Sequence, residues 1–351
     1  MPHYVYVAAQ DDNKIGCYTM NADTGALTHQ ADVEMPGGPS LLAISPDQRT
    51  LYAGHREAPE ISSHRIDPAS GGLTRTGSVT PEDAPAFLAT DRTGRHLLAS
   101  YYAGGRAAVH PIGADGELGG PPTEWLATAD GAHSILTDRS NRFAYVPHIA
   151  RIQDNVMEPP KNIPGPNVIF QFRFDADTGR LTPNDPLRVE MNGLLGPRHY
   201  CFHPSLDVVY FSDEQGSSVT AYNIDSEGRL SALQTISTLP EGHTGRNTCS
   251  QIQMTPDGRF LFVPNRGHNS IASFSVDGQT GTLTVADRVS TEAVPSAFSL
   301  DPQGRFVFGA GSATGRLASY RIDGDTGRMA PLATYDVGQR PMWVLTTTLG
   351  E

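Results

Sequence analysis

The chain has 351 residues, a net charge of -12, 18% charged residues, 36 glycines and 27 prolines. That acidity argues against nucleic acid as a general partner, and no apolar run approaches the roughly 20 residues of a membrane span. The length allows a large core, and so many turn-forming residues suit short strands joined by tight turns, not long helices.

The chain opens with Tyr4-Val-Tyr-Val-Ala-Ala-Gln10, which reads as a strand with no partner before it. No basic region and apolar stretch precede it, so no signal peptide is expected. The scattered Cys17, Cys201 and Cys249 read as structural thiols of a cytoplasmic protein, not as a disulfide framework. A unit of short strand, polar turn and returning strand then recurs. Its turns are Ser45-Pro-Asp-Gln-Arg49, Asp91-Arg-Thr-Gly-Arg95, Asp138-Arg-Ser-Asn-Arg142, His203-Pro-Ser-Leu-Asp207, Thr255-Pro-Asp-Gly-Arg259 and Asp301-Pro-Gln-Gly-Arg305. Aligned on the last residue of each, the steps are 46, 47, 65, 52 and 46 residues, the length of one four-stranded propeller blade. A seventh copy of the first strand, Pro341-Met-Trp-Val-Leu-Thr346, ends the chain without a returning strand. The expected fold is therefore all-β: a single seven-bladed β-propeller over residues 1–351, closed by pairing of the N- and C-terminal strands.

A second repeat supports the same period. Asn21-Ala-Asp-Thr-Gly25, Asp67-Pro-Ala-Ser-Gly71, Asp175-Ala-Asp-Thr-Gly179, Asp277-Gly-Gln-Thr-Gly281 and Asp323-Gly-Asp-Thr-Gly327 have the chemistry of tight hairpin turns. The 65-residue step holds an extra loop at about 149–165 whose prolines suggest a partly rigid lid.

In each unit the first strand starts, and the second strand ends, on the face opposite the Pro-Asp-Gly type turn. That face collects His133 and His148, then Arg198, His199 and Glu214, then Gln251, Arg266 and His268, with Tyr102 and Arg56 from the two preceding units. Converging polar groups at a concave mouth make a candidate site. Each also has a structural alternative: a histidine at a strand end can be hydrogen-bonded in place, and Arg266 can pair with Glu214 to tie neighbouring blades. No metal-binding spacing, nucleophile elbow or nucleotide-binding glycine loop is present, so neither a metal nor a cofactor is expected.

The segments Gly196-Pro-Arg-His-Tyr-Cys-Phe-His-Pro204, Tyr210-Phe-Ser-Asp-Glu214 and Pro256-Asp-Gly-Arg-Phe-Leu-Phe-Val-Pro-Asn-Arg-Gly-His268 resemble the seven-bladed lactonase family. That family holds propeller-type 6-phosphogluconolactonases and fungal 3-carboxy-cis,cis-muconate lactonizing enzymes. In its cycloisomerase branch the resemblance implies a pocket of histidine, glutamate and two arginines, here His148, Glu214, Arg198 and Arg266. The substrate-binding candidates are His133, His199, Gln251, His268, Tyr102 and Arg56. The sixth-unit segment Val307-Phe-Gly-Ala-Gly-Ser312 lacks the amide-rich sequence typical of the family there.

Three functions are expected to compete. In the first, a lactonase, arginine stabilises the oxyanion as water attacks the carbonyl of an anionic lactone, and His148 or Glu214 takes the proton. In the second, a muconate-type cycloisomerase, the arginines hold two carboxylates while His148 or Glu214 protonates carbon. The third is a non-catalytic propeller that binds a ligand or protein. The expected partner is a small anionic lactone or dicarboxylate, and the chain is expected as monomer or homodimer.

Overall fold

The computed structural model describes residues 2–350 and contains strands and turns but no helix among them. None of it is thus a helix long and apolar enough to cross a membrane. Seven antiparallel sheets form the ring. Blades I to VI follow chain order, with innermost strands at Pro39–Ile44, Phe87–Thr90, Leu136–Thr137, Pro197–Phe202, Thr248–Cys249 with Gln253–Met254, and Pro295–Leu300. In blade VII the innermost strand is Pro341–Thr348, hydrogen-bonded to His3–Ala9, with Lys14–Met20 and Leu27–Glu34 outside. The two ends of the chain thus close one sheet, as the unpaired first and last strands require.

Burial follows from this packing. Second strands such as Thr50–His55, Phe143–His148, Val208–Asp213 and Phe306–Gly311 are buried at every residue, because each blade lies between two others. They therefore read as continuous apolar runs rather than alternating ones. Outer strands such as Leu27–Glu34 are mostly exposed and polar. Most carry a β-bulge against the third strand, for example between Cys17 and Tyr18, Ser63 and His64, and Ala221 and Tyr222, which twists an otherwise open edge.

The outer hairpins also join the blades. In Asn21-Ala-Asp-Thr-Gly25 the Asn21 Oδ1 accepts from two backbone amides and Gly25 takes φ +72°. The same turn recurs with Gly71, Gly179, Gly281 and Gly327 at φ of +70° to +73°. Its carbonyls receive tyrosines of the preceding blade: Tyr6 Oη donates to Gly71 at 2.8 Å and Tyr210 Oη to Gly281 at 2.7 Å. The three cysteines are free.

Candidate active site

Two structural positions of the repeat build the central mouth. The first lies near the start of each innermost strand. In blades I, IV, VI and VII the ladder slips there by one residue, leaving Ser40, Arg198, Ser296 and Met342 opposite no partner. Such a bulge re-aims the extra side chain out of the blade. Ala86 and His133 take the equivalent place in blades II and III. The second position directly follows the buried end of each second strand and holds Arg56, Tyr102, Ile149, Glu214, Arg266 and Ser312. Their registry is shown by the residues before them: His55 pairs with Glu60, His148 with Val168, Asp213 with Ser218 and Asn265 with Ser270.

These positions surround a cavity of about 790 Å³ lined by Arg56, Tyr102, His133, Arg198, Glu214, Arg266, Ser296, Ser312 and Arg340, within the usual size of ligand sites. At its floor Arg198 Nε lies 2.8 Å from Glu214 Oε2 and Arg266 Nη2 lies 2.9 Å from Oε1. His133 Nε2 is 3.9 Å from the same Oε2. The carboxylate is thus held by charge on both sides, but Arg198 Nε–H is not aligned on it: Arg198 Nε and Nη1, Arg266 Nε, Glu214 Oε2 and His133 Nδ1 are buried without a protein hydrogen-bond partner. Arg266 Nη2 donates to the Cys249 carbonyl at 2.9 Å, and Ser134 Oγ donates to the Arg198 carbonyl at 2.8 Å. The Arg266 guanidinium is therefore fixed from behind, and the Arg198 backbone is tied to blade III.

Burial, reinforced by Arg266, pushes Arg198 down to about 9, so it stays charged at neutral pH. Burial and then Arg198 hold His133 well below the ordinary histidine range, which leaves it neutral at pH 7. No group of three His, Cys, Asp or Glu side chains that could hold a metal ion occurs among the described residues.

The inserted loop covers this mouth. A short hairpin, Arg151–Ile152 with Ile163–Pro164, forms its base, and Gln153, Asp154, Glu158 and Lys161 reach the cavity. Asp154 and the Glu158 carbonyl both take Arg246 of blade V, and the Gln153 amide donates to Tyr102 Oη at 3.0 Å.

The structure places Arg198, Glu214, Arg266, His133, Tyr102 and Arg56 around one cavity. It does not bring His148, Gln251 or His268 to the cavity. His148 is fully buried in its blade, its Nδ1 3.3 Å from the Val168 carbonyl, its Nε2 3.1 Å from Thr128 Oγ1 and its ring against Phe170. The residue equivalent to Glu214 in that blade is Ile149. A shift of one residue along a strand turns a side chain to the other face, and that shift removes His148 from the site. The same shift affects Gln251: the blade V equivalent of Arg198 is Ser250, while Gln251 Oε1 accepts the Phe298 amide of blade VI at 3.0 Å. His268 lies on the turn beyond Arg266, with its Nδ1 2.8 Å from Ser270 Oγ and its ring against His243. His199 sits beneath the lining, edge-on to His133 and Phe87 and tilted against Trp343 at 5.0 to 6.1 Å, so aromatic rings fill the shaft below the cavity. Sequence reasoning missed Arg340, Ser296 and Ser312, although the two serines occupy the repeat positions and Arg340 lies two residues before one of them.

The profile of the family described as "Lactonase, 7-bladed beta-propeller" matches residues 3–346. The chain is 33% identical over 350 residues to a 6-phosphogluconolactonase of Pectobacterium carotovorum, covering 99% of this chain and 100% of that one. It is 33% identical to the 6-phosphogluconolactonase of Serratia proteamaculans, with 98% of each chain covered. Among solved structures, the periplasmic gluconolactonase of Pseudomonas aeruginosa superposes with a TM-score of 0.88 at 25% identity, covering 100% of both chains. The ring of seven blades and the full-length match together establish that this chain belongs to the seven-bladed β-propeller lactonase family.

Proposed function

We propose that this protein hydrolyses a sugar lactone. The observation that carries this reading is the Arg198–Glu214–Arg266 cluster lining the cavity, an ion-paired carboxylate whose Oε2, like three of the guanidinium nitrogens, makes no aligned hydrogen bond within the protein. Water attack places negative charge on the lactone carbonyl oxygen, and donors already fixed toward that point lower the barrier without reorganising. Arg198 and Arg266 supply them. Glu214 Oε2 accepts the proton of the attacking water, and neutral His133, 3.9 Å away, helps to orient that water. Breaking the ring C–O bond then gives the hydroxyl and the carboxylate of the open acid, the proton passing to the departing oxygen. The reading is also supported by the names of the relatives, which are lactonases of gluconic acid and its phosphate.

The cycloisomerase alternative is not carried forward. It drew its weight from His148 beside Glu214, but His148 is enclosed in its blade, and the relatives are named as lactonases. Proton release from 6-phosphogluconolactone and from glucono-lactone, measured above spontaneous hydrolysis, tests the proposal. Turnover of at least one by the wild type, lost in Arg198→Ala, is expected. No acceleration of either lactone overturns it.

A further inference from the structure

Lactone hydrolysis moves two protons: one leaves the attacking water, and one reaches the ring oxygen as its bond to carbon breaks. Glu214 serves the first. The second needs a donor elsewhere on the cavity wall, and most candidates are engaged. Arg198 and Arg266 are held at Glu214, and Lys161 stands 3.4 Å from Glu158 on the inserted loop. The Ser296 and Ser312 hydroxyls both donate to the Val294 carbonyl, at 3.3 and 3.1 Å. Arg56 and Arg340 are guanidiniums, which keep their protons in proteins. His133 is neutral, and a neutral imidazole N–H is a far weaker acid than a phenol.

Tyr102, the tyrosine of the lining, is different. It directly follows the buried second strand of blade II, His96–Tyr101, and so takes the same repeat position as Glu214 and Arg266. Its Oη accepts the Gln153 amide at 3.0 Å and makes no other hydrogen bond among the described residues. One lone pair is thus tied to the inserted loop, while the hydroxyl's own proton has no protein acceptor. The ring stands edge-on to His133 with centroids 5.5 Å apart, and His133 Nε2 is 3.9 Å from Glu214 Oε2. Tyr102 therefore borders the charged floor through His133, and its hydroxyl lies in the field of both Glu214 and Arg198. Burial raises its pKa above the ordinary tyrosine value, which keeps it protonated at neutral pH.

We propose that Tyr102 is the general acid of the reaction, giving its phenolic proton to the ring oxygen of the lactone as the C–O bond breaks. This role rests on the lactonase reading and supplies the donor that completes it. Glu214 takes a proton from water, and the new C–O bond leaves a tetrahedral oxyanion beside Arg198 and Arg266. Collapse of that oxyanion breaks the ring C–O bond, and Tyr102 protonates the departing oxygen, which becomes the free hydroxyl. Glu214 then returns its proton to the Tyr102 phenolate through water, and both groups regain their starting states. The transfer runs downhill, because a phenol of pKa about 10 is a much stronger acid than the aliphatic alcohol released.

The test compares the wild type, Tyr102→Phe and Arg246→Ala on glucono-lactone and 6-phosphogluconolactone, with melting temperature as the check of folding. Tyr102→Phe keeps the ring against His133 but removes both the proton and the acceptor of the Gln153 amide. Arg246→Ala loosens the same loop from its other side and leaves Tyr102 intact, so it reports what loop anchoring alone contributes. On a lactone that the wild type turns over, Tyr102→Phe is expected to lower kcat by roughly 100-fold or more, while Arg246→Ala acts on KM. A Tyr102→Phe enzyme whose kcat stays within about threefold of wild type, with only KM raised, would make Tyr102 a loop anchor and overturn the general acid. That result leaves the lactonase reading standing, whereas a wild type that accelerates neither lactone removes both.

Discussion

Blades III and IV carry equivalent second strands, yet the residues that follow them do opposite things. In blade IV that strand ends with Asp213 and is followed by Glu214. In blade III it ends with His148 and is followed by Ile149. Asp213 and His148 face the interior between strands, where both are fully buried. Ile149 is buried and apolar, whereas Glu214 closes the floor of the cavity between two arginines. The lesson is that chemical type at a strand end says little until its parity is known. A histidine and a glutamate one residue out of phase belong to different parts of the molecule.

The strongest way to break this comparison is at Glu214. Replacing it by Gln keeps the shape and removes the proton acceptor, and general-base losses run to roughly 10²–10⁴-fold in kcat. Such a loss with an unchanged circular dichroism spectrum is expected; lactone turnover within threefold of wild type would remove Glu214 from the mechanism. A smaller effect is expected at the lid. Arg246 holds both Asp154 and the Glu158 carbonyl above the cavity, and Arg246→Ala frees that strap without touching the floor. Its KM should rise by roughly tenfold while kcat changes little, since loosening a closing element weakens substrate capture. A kcat that falls with KM unchanged would contradict this.

Much of the fold was legible because its signals are local. The turn chemistry of Asp67-Pro-Ala-Ser-Gly71 or Thr255-Pro-Asp-Gly-Arg259 is complete within five residues, and the unpaired Tyr4–Gln10 and Pro341–Thr346 segments state the ring closure directly. Arg198, Glu214 and Arg266 were legible because each adjoins such a strand. The parity of His148 and Gln251 was not, because fully buried second strands carry no polar alternation to count from, and the bulges that decide which side chain turns inward leave no mark in composition. Arg340 escaped for a related reason. It looks like an ordinary turn residue before Pro341, and only the structure shows it at the cavity, on a left-handed residue where blades I, III and IV have glycine and blade VI has Val294.

Asp213 sharpens the comparison through stability. Its Oδ2 accepts from Ser218 and Thr220, each at 2.7 Å, while Oδ1 has no partner, and burial raises its pKa from 3.8 to about 7. The folded chain therefore holds a proton between pH 3.8 and about 7 that the unfolded chain has released. Stability linked to this group is complete below 3.8 and is lost as the pH rises through 7. Asp213→Asn removes that dependence, so its melting temperature relative to wild type should climb between pH 5 and pH 8.5. A constant difference across that range would show that Asp213 is ionised in the fold.

The smallest effect on turnover is expected at His148, and it separates the two readings of that residue most directly. Burial lowers its pKa from 6.5 to about 4, and both ring nitrogens are occupied, by Val168 and Thr128. In His148→Gln the ring contact with Phe170 is lost and at least one buried partner is left unpaired, at a cost of about 1–3 kcal/mol. Lactone kcat/KM should nevertheless stay within threefold of wild type, because nothing at the cavity floor touches the ring. The pH dependence carries the same argument further. The folded imidazole is neutral where the unfolded one takes up a proton, so its contribution is complete above 6.5 and is lost as the pH falls toward 4. The stability gap between wild type and His148→Gln should therefore narrow from pH 7 to pH 4.5. A variant that melts like wild type but has lost turnover would instead mean that His148 reaches the substrate, and the parity derived from the strand register would be wrong.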